Sequence, residues 1–440
     1  MSDTPETIAQ KLTEARRAQP LWQNVSGKIR KEAIGRFGSL LRENTEALAR
    51  TLSEETGKPI VQARAEIKAT DGRIAFFLEH IDDAMQPQIV SRAGDSIEEQ
   101  IIREPLGVIA NISAWNYPYF IGTNVFVPAL LTGNAVLYKP SEFASMTGQK
   151  IAQLLQQSGV PAGIFSLIEG EGDVGAKLLE SEIDAVFFTG SYTTGKKIAA
   201  TIGPRMIKMQ LELGGKDPAY VREDADVEAT ACALAEGAFY NAGQSCCSVE
   251  RIYVHARIAD PFVARFVQEV ESYVIGNPLD DKTFIGPLTR PSQIDVLQNQ
   301  VDDAKSKGAR VLCGGSRLAR QGNYFAPTVV TNTNHQMLIM REESFGPVIG
   351  IQVAQDDDEA LQMMQDTEYG LTASVYSRSR EQSEKILRQL KVGTGYWNCC
   401  DRVSPRLPWT GRKHSGIGTT LSIEGIRTFT EPKALHLRKA

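Results

Sequence analysis

An α/β architecture with two doubly wound parallel-sheet domains and a small β arm is the fold class that this sequence predicts, on three observations. Between residues 106 and 211 short apolar runs alternate with segments of helical period, and a second series of the same kind begins at Val227. Two segments fit neither series, 87–103 and the C-terminal tail, and both are extended in character. At 440 residues the chain is also too long for one ordinary core.

Each element follows in order. Up to Met85 the period is helical: Thr4-Pro5 is a start signal with proline at the first helical position, and Ile34, Phe37 and Leu41, then Leu48 and Leu52, recur at helical spacing. Charged residues fill the other face, so these helices are expected to pack on something larger. Residues 87–103 are polar, with Ile101-Ile102 inside, and read as an arm or hairpin. Strands are then expected at 106–112, 135–139, 164–169, 185–189 and 206–211, with helices at 120–131, 145–157, 174–179 and 194–202. Right-handed crossovers should join them, with a ligand at the carboxyl ends of the strands. The second series reads as helices at 228–240, 261–274, 293–306, 359–366 and 380–390, and strands at 251–255, 310–313, 372–376 and 393–398. The alternating run 434–438 has no partner in sequence; pairing across a subunit boundary and pairing within its own domain are equally open.

Composition excludes several function classes. With 42% hydrophobic and 23% charged residues and a formal net charge of -5, nothing points to nucleic acid or to an anionic membrane surface. No apolar run approaches the roughly 18 residues of a membrane span and no secretory leader opens the chain, so a cytoplasmic location is expected. The six cysteines, Cys232, Cys246, Cys247, Cys313, Cys399 and Cys400, match neither a disulfide ladder nor paired CxxC zinc spacing, and the histidines are scattered. No metal is expected. Neighbouring residues on a strand point to opposite faces, so at most one cysteine of each adjacent pair is expected in a given cleft.

The chemistry is expected at strand exits. The loop NAGQSCCS at 241–248 follows a helical run and presents Cys246 as a candidate nucleophile, and LELGG at 211–215 ends an apolar run with Glu212. A cysteine is more often an inert core residue and a glutamate more often a solvated one. A third strand exit, SAWNYP at 113–118, raises both, because the Asn116 amide and the Cys246 backbone N–H could together stabilise an oxyanion. Cys246 would attack a carbonyl and Glu212 would activate the water that releases the product. For a cofactor, the GEGDVG at 170–175 is a weak match, whereas FTGSYTTG at 188–195 ends a strand in a small-residue turn before a helix, a site suited to a pyrophosphate. KPSE at 139–142 ends another strand and could bond ribose hydroxyls.

These motifs occur together with EESFGPV at 342–348 and PWTGRKHSG at 408–416, and in this order and spacing they resemble the aldehyde dehydrogenase superfamily of NAD(P)-dependent, hydrolytic type, from about Ile34 to Pro432. The resemblance implies a Rossmann-like cofactor domain from 1–86 and 104–213, a catalytic domain from 214–422, and an oligomerisation arm and tail from 87–103 and 423–440, in a homodimer or homotetramer. It makes Cys246 the thiol that forms a thiohemiacetal and then a thioester, Asn116 the oxyanion side chain and Glu212 the general base. Lys139 and Glu142 match the adenosine-ribose contacts, Ser191 the pyrophosphate contact, Glu343 with Phe345 the nicotinamide-ribose clamp, and Trp115 and Leu213 further cofactor neighbours. Gln293 falls at another ribose contact, without the usual nearby lysine. Tyr117, Ser245, Cys247, Val403 and Trp409 stand by position in a substrate tunnel.

The sequence departs from the pattern at Ala114, in place of the usual proline, and at Thr410-Gly411, in place of two glycines; it also lacks a leading strand segment. A carboxylate at Glu142 would repel a 2′-phosphate, so NAD is expected over NADP. Arg402 and Arg406 flank the expected tunnel mouth, where they are either solvated or able to recognise a semialdehyde. The alternatives are a CoA-acylating aldehyde dehydrogenase, disfavoured by Glu212, and a non-redox cysteine hydrolase, which leaves the KPSE and FTGS turns without a purpose.

Overall fold

The structure is a computed structural model and describes residues 2–93 and 97–439. Four helices, Pro5–Asn24, Gly27–Glu43, Thr45–Thr56 and Ile60–Met85, open the chain. Thr4 caps the first by accepting from the Thr7 N–H, as its Thr-Pro start requires. Ile34, Phe37, Leu41, Leu48 and Leu52 all enter the core, so the apolar stripe read in the sequence is the buried face.

A six-stranded sheet runs in the order Gly416–Ile417, Lys208–Glu212, Ala185–Thr189, Val108–Ile112, Ala135–Lys139, Phe165–Leu167. All pairings are parallel except that of Gly416–Ile417. Val108–Ile112 lies between Ala135–Lys139 and Ala185–Thr189, so the chain winds away from it in both directions, and the crevice at its carboxyl end is where doubly wound sheets bind ligands. Gly416, within the span expected to build the second unit, instead pairs with Glu212 of this first sheet. A Cβ on Gly416 would stand 1.9 Å from the Leu211 carbonyl, so only glycine permits the approach.

The second sheet has seven strands, in the order Arg310–Cys313, Thr328–Thr331, Val348–Ala354, Val249–His255, Asp217–Val221, Thr372–Tyr376, Thr394–Trp397. Only Arg310–Cys313 pairs antiparallel. Three of these strands, Asp217–Val221, Thr328–Thr331 and Val348–Ala354, escaped the sequence reading. Each has a proline beside its start, Pro218 as the second residue and Pro327 and Pro347 just before, which reads as a turn but is tolerated at a strand beginning. Two separate hydrophobic clusters lie against the two sheets.

The arm is a three-stranded antiparallel sheet in which Ile97–Pro105 lies between Gln88–Ala93 and Thr430–Arg438. The tail therefore pairs within its own chain, from Thr430 opposite Pro105 to Arg438 opposite Ile97. Among the described residues no helix is long and apolar enough to cross a membrane, and no group of three or more His, Cys, Asp or Glu stands placed to hold a metal ion.

Candidate active site

The thiol loop is built by an unusual turn. Helix Val227–Phe239 is followed by Asn241 and Ala242 in the left-handed region, at φ 53° and 54°. For alanine this conformation costs energy and needs external support. The Asn241 N–H donates to Gln62 Oε1 at 2.9 Å, its Nδ2 donates to the Gln244 carbonyl at 3.2 Å, and the Thr289 N–H donates to Gln244 Oε1 at 3.0 Å. Asn116 joins this net: its Nδ2 donates to the Gln244 carbonyl at 3.1 Å, two residues before Cys246. One Asn116 N–H is thus engaged, and the amide is fixed against the thiol loop.

The paired glycines after Glu212 explain how that strand exit passes beneath the loop. A Cβ on Gly215 would lie 2.4 Å from the Cys246 carbonyl, and one on Gly214 would lie 2.4 Å from Glu343 Oε1. Any larger residue would push the thiol loop or the Glu343 loop away.

Cys246 and Glu212 line one cavity of about 690 Å³, together with Tyr117, Ser245, Cys247, Val403 and Trp409. The thiol, the acid and the five tunnel candidates are therefore brought together, and Asn116, which is not part of that lining, stands against the thiol loop through the Gln244 carbonyl. Glu212 is 7% exposed and its Oε1 has no donor. Burial pushes its carboxyl up to about 7, with a hydrogen bond from Trp409 acting the other way. The Cys246 thiol lies above its ordinary value: a hydrogen bond with Cys247 lowers it, but burial and the charges of Glu212, Asp401 and Asp217 outweigh that effect.

The expectation that only one cysteine of each pair would face a cleft is overturned, since Cys246 and Cys247, and also Cys399 and Cys400, all line this cavity. Neither pair sits on a strand. The first is in the turn after residue 244, and the second is flanked by Asn398 and Asp401 at φ 54° and 47°. Two-fold alternation of side chains does not apply to such backbone.

The cofactor candidates lie outside the cavity, at the carboxyl ends of the first sheet and on the loops facing it. Trp115 packs edge-on to Phe345, with ring centroids 5.6 Å apart, and to Phe143 at 6.4 Å. Lys139 is buried, its Nζ donates to the Pro140 carbonyl at 3.2 Å, and burial lowers its pKa while Glu142 opposes the shift. Glu142 is exposed at the start of the turn Glu142–Ala144. Ser191 caps helix Tyr192–Ile202 by accepting the Thr194 N–H at 3.3 Å, and Leu213 is buried against Gly195 of that helix. Glu343 accepts the Gly215 N–H at 3.0 Å, and burial together with Glu250 pushes its carboxyl up to about 8. Gln293 Nε2 donates to the Ser344 carbonyl at 2.5 Å, so here it tethers the loop that carries Glu343 and Phe345. Glu250 holds that loop from beneath, accepting the Ser344 and Phe345 N–H groups at 2.8 and 2.9 Å and the Lys216 ammonium at 2.7 Å. A capped helix start, a buried lysine with an outlying carboxylate, and an aromatic pair at the winding reversal together fit a dinucleotide.

The sequence profile of the aldehyde dehydrogenase family matches residues 1–435. The chain belongs to that family. Among solved structures it is similar to an NAD-dependent aldehyde dehydrogenase of Sinorhizobium meliloti, with 33% identity and a TM-score of 0.96 over 99% of this chain and 88% of that one. It is similar to the lactaldehyde dehydrogenase of Escherichia coli, with 31% identity and a TM-score of 0.96 over 100% and 92% of the two chains. An NADP-dependent enzyme of Escherichia coli matches with 30% identity and a TM-score of 0.96 over 100% and 91%.

This aldehyde dehydrogenase carries further side chains at the site that sequence reading missed. Asp401 accepts from Cys247 Sγ at 2.9 Å and Ser245 Oγ at 3.4 Å, and burial pushes its carboxyl up to about 6. Buried Lys58 pairs with Glu66 and sits 3.7 Å over the Tyr117 ring, while Glu66 accepts the Tyr119 N–H at 2.9 Å. That pair fixes the turn bearing Asn116 and Tyr117. Lys58, Glu66 and the buried Arg73 all lie in or beside the helix Ile60–Met85, and no local motif marks which of its charged positions turn inward.

Proposed function

We propose that this aldehyde dehydrogenase oxidises an aldehyde to its free carboxylic acid through a thioester on Cys246, hydrolysed with Glu212 as general base, and that it prefers NAD to NADP. The observation that carries the reading is Glu212: a buried carboxyl with a free oxygen, opening on the same cavity as the thiol, at a strength matched to neutral pH.

The Cys246 thiol gives up its proton to solvent in the cavity, its sulfur adds to the aldehyde carbon, and the oxygen that becomes negative is stabilised by the Asn116 amide and the Cys246 backbone N–H. A nicotinamide cofactor held by the residues named below would supply the acceptor for the hydride of the thiohemiacetal carbon. Glu212 then removes a proton from water as it attacks the thioester carbonyl, releasing acid and restoring the thiol. Trp115, Lys139, Glu142, Ser191, Leu213, Gln293, Glu343 and Phe345 are assigned to the cofactor. The exposed Glu142 carboxylate supports NAD, since it would accept from both ribose hydroxyls and repel a 2′-phosphate.

Purified protein assayed with aliphatic, aromatic and ω-carboxylated aldehydes tests this. NADH should form without CoA, and NAD should give the higher kcat/KM. Strict CoA dependence would move the reading to the acylating branch, and no NADH with any aldehyde would move it to a non-redox hydrolase. The arm leaves the outer edges of Gln88–Ala93 and Thr430–Arg438 unpaired among the described residues, which supports a homodimer or homotetramer, to be read by sedimentation.

A further inference from the structure

Arg73 lies on helix Ile60–Met85, is 4% exposed, and lines the same cavity as Cys246. Its direct partners are neutral, and the Glu66 carboxylate favours its charge from beyond ion-pair distance. One Nη1 N–H donates to Asn124 Oδ1 at 3.1 Å, one Nη2 N–H donates to the Val403 carbonyl at 3.4 Å, and the guanidinium lies 4.1 Å over the Phe120 ring. Phe120 and Asn124 stand four apart on one face of helix Pro118–Leu131, so two helices and the tunnel wall hold the group in place.

Among the described residues Arg73 forms no ion pair, whereas Lys58, equally buried, has Glu66 beside it. Of the four carboxylates lining the cavity, none pairs with Arg73: Glu66 is engaged by Lys58 and the Tyr119 N–H, Asp401 by Cys247 and Ser245, Glu212 is buried beside Cys246, and Glu236 is exposed. Burial brings Arg73 down to about 10, which still leaves it cationic at neutral pH. Buried charges are ordinarily paired, and a guanidinium retains further N–H donors in a planar fork that matches a carboxylate. Arg402 and Arg406, the two arginines that the sequence singled out for such a role, line the cavity but are exposed, where solvent weakens any pairing.

We propose that Arg73 is a specificity-determining residue that binds the ω-carboxylate of a semialdehyde whose carbonyl is presented to Cys246. This rests on the aldehyde oxidation reading, and the test separates the two. Initial rates would be measured with succinate semialdehyde, butanal and 4-aminobutanal, each with NAD. The expected kcat/KM for succinate semialdehyde exceeds that for butanal by about tenfold or more, as a buried charged contact allows. Arg73→Gln should lower that ratio toward one mainly by raising KM for the carboxylated substrate, and Arg73→Lys should restore part of it.

Because a buried arginine can also matter for folding, the wild-type enzyme supplies an independent reading. Succinate should compete with the aldehyde at a concentration about tenfold lower than succinamide does. NADH formation from butanal with no preference for the carboxylated aldehyde, and equal inhibition by succinate and succinamide, would overturn the assignment while leaving the dehydrogenase reading intact. Preference for 4-aminobutanal would overturn it in favour of a cation held at Asp401. No NADH from any of the three would sink both.

Discussion

Replacing Glu212 by glutamine should make the protein more stable as the pH rises, while making it a far poorer enzyme. The folded carboxyl sits at about 7 against an ordinary 4.5, because burial disfavours its charge. The folded state therefore binds this proton more tightly than the unfolded chain, so its stabilising effect is full below 4.5 and is lost as pH climbs through 7. Above that pH, ionised Glu212 costs the fold about 3 kcal/mol, and most of the loss accrues between pH 5 and 8. Glutamine does not titrate. Whatever its amide costs in the same place, that cost is constant with pH, so the stability of the variant relative to wild type should rise by roughly 2 to 3 kcal/mol over this interval. Urea unfolding of the two proteins side by side at pH 5, 6, 7 and 8 reads it directly. In stopped-flow, the same variant should still release about one NADH per active site in a burst and then turn over about a hundredfold or more slowly, because hydride transfer precedes the step that needs the base. A stability difference flat across the pH range would show that Glu212 is not a desolvated carboxyl. Unaltered steady-state turnover at neutral pH would show that it is not the base.

Three further outcomes follow from the same geometry. Wild-type kcat should fall about tenfold per pH unit below 7, where Glu212 is protonated, and level off above it; a flat profile from pH 5.5 to 8 would contradict this. Gly215→Ala should lower kcat by about a hundredfold, since its Cβ would meet the Cys246 carbonyl at 2.4 Å and move the thiol; reaction of Cys246 with iodoacetamide reports that displacement separately. Glu142→Ala should reduce the NAD-to-NADP ratio of kcat/KM by about tenfold by removing the repulsion of a 2′-phosphate, and an unchanged ratio would take Glu142 out of cofactor choice.

Legibility of the fold tracked the local chemistry. Ala135–Lys139, Ala185–Thr189 and Thr372–Tyr376 occupy the residues expected of them, because a parallel strand covered on both faces is an unbroken apolar run between turn signals. Thr328–Thr331 and Val348–Ala354 have the same composition, but Pro327 and Pro347 disguise their starts, and Asp217–Val221 opens with Asp-Pro. At the site, Cys246 and Glu212 announce themselves by residue type and by the glycines beside them. Asp401 and Arg73 do not. The first is turned inward by a left-handed backbone that no side chain dictates, and the second depends on which face of a long helix meets another helix. Such facts belong to tertiary packing, which periodicity cannot see.

The pairing of Thr430–Arg438 with Ile97–Pro105 has a meaning for how the chain is made. While the ribosome adds the whole of the two large sheets, the strand 97–105 waits with one flank of its backbone bare, and only a stretch made after both of them can cover it. Nascent chains in crowded polysomes would meet each other along that bare flank, which makes a chaperone that shields extended backbone, or slow translation at low temperature, the natural remedy for poor yield of this protein.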